Sequence, residues 1–183
     1  MTLRFLTEHE HDVVRRLADQ LLPAHAEFPG AGAAGAADYV DRILGAFTAD
    51  PPAIWAAGPF SGRHGGTTGF RDSLPLSRLE ELAWRTRIEG SQGRPEREWN
   101  GPVRGWQEVY REGIAALGDA SDLTIGALDA QPELRQLLFE HACEASYGAP
   151  EYGGNGDLAG WRMIGYAGDV QPRGWSDAEV LGA

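Results

Sequence analysis

The residues best equipped for chemistry are five histidines, one cysteine and a glycine run that matches a nucleotide-binding pattern. His9 and His11 lie two positions apart, and two residues of a helix turn through about 200°, so their imidazoles cannot reach one metal ion from that helix. They read as surface histidines. His141 and Cys143 repeat the spacing and meet the same obstacle, and no zincin motif or dense Cys/His cluster occurs. Gly30-Ala31-Gly32-Ala33-Ala34-Gly35 matches GxGxxG letter for letter, with Asp50 near the place where the fingerprint sets its acidic residue. That fingerprint works because a buried strand delivers a tight turn under a pyrophosphate at a helix N-terminus. Here Ala24-His25-Ala26-Glu27-Phe28-Pro29 precedes the glycines and no βαβ unit follows. The run therefore reads as a small-residue loop that lets a second helix turn back onto the first. No GxSxG elbow marks a nucleophile. Catalytic, metal and cofactor-binding residues are accordingly expected to be none.

The elements that would position these groups are helical. Thr7-Glu8-His9-Glu10 is a capping box, and Val13, Val14, Leu17, Ala18, Leu21 and Leu22 follow at helical spacing until Pro23. A second helix is expected from about Ala36 to Phe47, carrying Val40, Ile43 and Leu44 on one side and ending before Asp50-Pro51-Pro52. Ser77-Arg78-Leu79-Glu80 is another capping box, opening a helix that stops near Gly90. Val103, Trp106, Val109, Tyr110, Ile114 and Leu117 predict a fourth helix capped by Gly118, and Pro132 opens a fifth through His141 and Ala145. Pro51 to Leu74 shows no sustained period and reads as a long structured loop, whose Trp55, Phe60 and Phe70 argue that it packs against something. After Tyr147 periodicity disappears into a turn-rich tail. No stretch alternates as a strand does. The expected fold is all-α: a small irregular helical domain with long glycine-rich loops and an extended C-terminal tail.

Composition narrows the partners. A chain of 183 residues is long enough for one domain with its own core. Residues 1–183 are read as that domain, with a helical core at about 6–147, a loop-rich insertion at 51–105 and a tail at 148–183. The 25 glycines and 11 prolines argue for much irregular backbone between helices. A formal net charge of −11 disfavours a nucleic-acid partner, which needs clustered Lys and Arg. No run approaches the length of about 18 apolar residues that a membrane helix requires, so no direct membrane insertion is expected. Arg15-Arg16 is followed by Leu17-Ala18-Asp19-Gln20 rather than an apolar stretch, so the pair reads as a solvated helix face and not an export signal. The expected compartment is cytoplasmic as the sequence is written, and extracytoplasmic if the start lies elsewhere or a signal was removed. The single cysteine excludes a disulfide within the chain; it is read as a small buried apolar residue, the alternative being a bond to a cysteine of another chain.

The tryptophans carry more information. Trp55, Trp99, Trp161 and Trp175 all fall in loop-like segments. On glycine-rich backbone such residues either anchor a partner or fold back over the domain's own core. The stretch Tyr147-Gly148-Ala149-Pro150-Glu151-Tyr152-Gly153-Gly154-Asn155-Gly156-Asp157, continuing through Gly160-Trp161 to Gly165-Tyr166, resembles the signature of the gluconate 2-dehydrogenase subunit 3 family. The opening helix, with Leu21-Leu22-Pro23 and the glycine–alanine loop after it, is similar to the family's start.

The resemblance implies a small, mostly helical, non-catalytic subunit that accompanies a large flavin-dependent dehydrogenase of the glucose-methanol-choline type, sometimes with a cytochrome subunit. The FAD belongs to the partner. Many family members carry a twin-arginine signal and escort the folded catalytic subunit; this sequence departs from them there. Tyr152, Gly153, Gly154, Asn155, Asp157 and Trp161, with Arg173 and Trp175 nearer the end, are the expected partner interface. The alternative expectation is a stand-alone helical module that binds a small ligand under its aromatic loops.

Overall fold

Thr7 does what its position in the sequence predicts: its hydroxyl accepts the Glu10 amide at 3.2 Å, and the Glu10 carboxylate accepts the Thr7 amide at 2.7 Å. Helix α1 (Glu8–Leu21) starts there and buries Val13, Val14, Leu17 and Ala18. The computed structural model describes residues 2–56, 75–118 and 123–167. Phe60, Phe70, Arg173 and Trp175 lie outside the described residues.

Helix α2 (Ala36–Leu44) ends three residues before the expected Phe47, and a short 3-10 turn, Ala46–Thr48, takes its place. The cause is the chain's own N-terminal segment. A Cβ on Gly45 would lie 2.4 Å from the Arg4 Cβ, so backbone passes where a continued helix would have to project side chains. Asp41 fixes that passage. Its fully buried carboxylate accepts the amides of Arg4, Phe5 and Leu6, at 2.8 to 3.1 Å.

Ser77 and Glu80 form the second reciprocal cap, and α3 (Arg78–Glu89) ends at Gly90. Helix α4 (Trp106–Leu117) begins three residues later than the apolar period suggested. Val103 is instead extended and pairs with Ser91, its carbonyl accepting the Ser91 amide at 2.9 Å and its amide donating to the Ser91 hydroxyl at 3.1 Å. A short α5 (Ile125–Asp129), absent from the sequence reading, precedes α6 (Pro132–Tyr147), whose bounds are those expected.

Helix α6 is the centre of the molecule. It touches α1, α2, α4, α5 and, beyond Tyr147, the short α7 (Ala159–Met163). Leu134, Leu137, Leu138, Ala142 and Ala145 on α6 meet the α1 and α2 stripes in one continuous apolar cluster. Each such large aliphatic side chain contributes about 1.5–3 kcal/mol by leaving water. Helix α3 stands outside this centre and packs on α4, the Trp84 ring meeting Trp106 edge-on at 6.2 Å. Seven α-helices and no strand occur among the described residues, so the all-α expectation holds. No helix among them is long and apolar enough to cross a membrane.

The loop that mimics a dinucleotide fingerprint binds an anion of its own. Asp19, from α1, accepts the amides of Gly32 and Ala33 at 2.9 and 3.2 Å. The backbone donors that would cradle a phosphate are turned onto a side chain of α1, and the loop folds α2 back on α1 as its composition suggested.

Candidate functional site

The described part of the tail, from Gly148 to Ala167, is not extended. Two 3-10 turns, Pro150–Tyr152 and Gly156–Leu158, lead into α7, and together they fold back across the end of α6. Asn155 is the pin of this arrangement. Fully buried and in the left-handed region at φ 51°, which Asn tolerates better than most residues, it donates from Nδ2 to the Gly148 carbonyl at 3.1 Å. Its Oδ1 accepts the Gly160 amide at 3.0 Å. The Trp161 indole donates to the Tyr147 carbonyl at 2.6 Å, so two carbonyls at the C-terminal end of α6 find donors in the returning chain.

Close approach explains the glycines. A Cβ on Gly154 would sit 2.3 Å from the Ala145 carbonyl oxygen, and one on Gly160 would sit 1.8 Å from that of Ser146. Only backbone without side chains can lie this near the helix. Gly156 then donates to the Ala34 carbonyl at 2.8 Å, tying the returning segment to the loop between α1 and α2. The segment is a staple joining both ends of the helical core.

The residues expected at a partner interface therefore divide. Gly154, Asn155 and Trp161 are buried inside this chain, Tyr152 and Gly153 are half-buried, and Asp157 is exposed. Trp161 lies 5% exposed on α7, edge-on to Tyr166 at 4.8 Å, rather than in an open loop. Of the two readings of the loop tryptophans, folding back over the core describes Trp161. Trp55 also meets its own chain, at 6.1 Å from Tyr152. Trp99 is the opposite case, at 92% exposure. Tyr147, Ile164 and Tyr166 surround the staple with exposed apolar surface that the tail reading did not single out.

A second cluster lies in the core. His141 is buried, its ring stacked on Tyr110 at 5.7 Å and met edge-on by Trp106 at 4.7 Å and by Tyr39 at 5.9 Å. Nδ1 shares a hydrogen bond with the Tyr110 hydroxyl at 3.0 Å, while Nε2 has no partner among the described residues. Burial holds the imidazole neutral, lowering its pKa to about 3. Tyr39 donates to the Glu144 carboxylate at 2.6 Å, and burial followed by that bond raises its pKa. Burial raises Tyr110 as well. The cluster is thus a set of neutral, hydrogen-bonded aromatic groups.

Candidate ligands for a metal stay apart. His11 pairs with Asp38 at 2.8 Å. No group of three His, Cys, Asp or Glu side chains is gathered for an ion among the described residues. Cys143 is half-buried, less enclosed than expected, and burial raises its pKa so that it remains a thiol. A partly open cavity of about 60 Å³ between Arg42, Trp55 and Tyr152 has room for little more than water. A wide depression near the start of α1 is faced by Glu8, His11 and Asp38.

The described residues thus form a small helical domain closed by a backbone staple, with aromatic side chains left on its surface. The model of the gluconate 2-dehydrogenase subunit 3 family matches residues 8–168, and the chain belongs to that family. The family's description is that of a subunit of a dehydrogenase complex. No curated protein and no solved structure matches the chain.

Proposed function

We propose that this chain is the non-catalytic small subunit that binds and stabilises a large FAD-dependent sugar or alcohol dehydrogenase of the glucose-methanol-choline type, and assists its maturation. The flavin and the catalytic residues belong to the partner. One observation carries the reading beyond family membership: large apolar side chains stand exposed, Trp99 at 92%, Ile164 at 56% and Tyr166 at 45%. A substrate site favours an enclosed apolar hollow with a few converging polar groups, whereas the hollow of about 560 Å³ beside α1 is wide open and of mixed polar and apolar lining. Exposed aromatic side chains on a firm frame suit a protein surface.

The test is co-expression of the large dehydrogenase subunit with and without this chain. The expected outcome is loss of soluble, flavin-loaded enzyme when the chain is omitted, and a lower yield when it ends at Ala167. Full yield and activity of the large subunit alone would refute the proposal. Turnover of a sugar or alcohol by this chain without added protein would move catalysis into it.

A further inference from the structure

The connection between α3 and α4, residues 90–105, is built more tightly than a link between two neighbouring helices requires. Its two ends cross at glycines, and a Cβ on Gly105 would lie 2.3 Å from the Gly90 nitrogen. The Ser91 hydroxyl accepts the Val103 amide and donates to the Glu98 carboxylate at 2.9 Å, bridging the two arms. Arg97 occupies the middle. At 5% exposure it donates to the Glu89 carboxylate at 2.9 Å and to the Gly90 carbonyl at 3.1 Å. Backbone bonds from Arg94 to Ser91, Glu98 to Pro95 and Gly101 to Glu98 close the remaining turns.

This frame holds its largest apolar side chain away from itself. Trp99 stands at the tip, 92% exposed, with Val103 of the same loop 40% exposed. None of the bonds that shape the loop uses the indole. A tryptophan so displayed gives up the burial that its size makes available, while the loop beneath it needs no further ordering to meet a partner.

We infer that Trp99 is a preformed anchor that enters an apolar pocket on the large dehydrogenase subunit; the inference rests on the accessory-subunit reading above. A second copy of this chain fits less well as the occupant. The cavity beside Trp55 and Tyr152, about 60 Å³, is too small for an indole, and the wide depression near α1 mixes Leu3 and Leu6 with Glu8, His11 and Asp38 and stays open rather than closing into an apolar slot. A net charge of −11 also sets like copies against each other.

The experiment titrates the wild-type chain and its Trp99→Ala and Trp99→Phe variants against the purified dehydrogenase subunit that co-purifies with this chain, identified by its flavin absorbance. Trp99→Ala is expected to weaken binding about 30-fold or more, the equivalent of the 2 kcal/mol that marks an interface hot spot, chiefly through faster dissociation. Trp99→Phe should lose less, and urea midpoints of the isolated variants should match the wild type because the side chain supports nothing in its own fold. Unchanged affinity of Trp99→Ala overturns the anchor and leaves the accessory-subunit reading standing. A wild-type chain that binds no flavin-loaded subunit overturns both. A wild-type chain that sediments as a dimer, with Trp99→Ala monomeric, gives the indole to a second copy and overturns the hetero-partner.

Discussion

Acidification should unfold this domain through His141 before most of its carboxylates are protonated. In the folded chain the imidazole stays neutral down to about pH 3. In the unfolded chain it takes up a proton near its ordinary pKa of about 6.5. Between those values the unfolded state binds more protons, so stability is fully present above about pH 6.5 and falls as the pH drops, levelling off near pH 3. The slope approaches 1.4 kcal/mol per pH unit, about 2 kcal/mol between pH 7 and 5 and on the order of 5 kcal/mol over the full window. For a domain whose total stability is about 5–15 kcal/mol, that share is decisive. The assay is urea unfolding followed by far-UV circular dichroism at half-unit steps from pH 7.5 to 4.5, for the wild type and His141→Leu. The leucine variant starts lower, because the Tyr110 hydroxyl loses its partner, but it lacks this titration. Its stability should therefore fall less steeply, by about 3 kcal/mol over the interval. Parallel curves for the two proteins would refute the reasoning.

Two further substitutions probe the internal fastenings. Asn155→Ala removes both bonds that join the Gly148 carbonyl and the Gly160 amide, and a loss of about 3 kcal/mol is expected, with early protease cleavage around α7; urea unfolding and limited proteolysis read both effects. Asp41→Ala leaves the amides of Arg4, Phe5 and Leu6 without their acceptor, with an expected cost of about 3 kcal/mol and faster hydrogen exchange at those amides. Exchange as slow as in the wild type would show that the carboxylate is not what holds the segment.

The helices that were legible in the sequence are those with local signals. Reciprocal caps at Thr7 and Ser77, Pro132 at a first turn and glycines after Glu89 and Leu117 all act within four residues of the feature they mark. Misjudged boundaries arose where a distant segment intervened. Helix α2 stops for Arg4, more than thirty residues away, and α4 starts late because Val103 is engaged by Ser91. Helix α7 was missed because its five residues are too few to show an apolar period and its packing is against α6, distant in kind from any local signal. Two buried polar residues did leave a trace. Asp41 falls beside Val40, Ile43 and Leu44, the apolar residues that α2 buries, where a charge calls for a buried partner. Asn155 follows two glycines, a combination that the sequence reading took for docking and that the fold uses for close backbone contact.

The staple also bears on how the chain can be made. Its bond from Gly156 to Ala34 joins the first third of the polypeptide to its last described stretch, which the pin from Asn155 to Gly160 holds in shape. Such distant pairings form late, because loop closure must precede any gain from contact. During synthesis, α1 and α2 emerge long before the segment that fastens them, and α6 has no cover for its C-terminal end until residue 161 has left the ribosome. A nascent chain shorter than that leaves Ala145 and Ser146 without the glycine backbone that lies on them in the finished fold. Completion of the subunit is thus signalled by the same few residues that end its described fold.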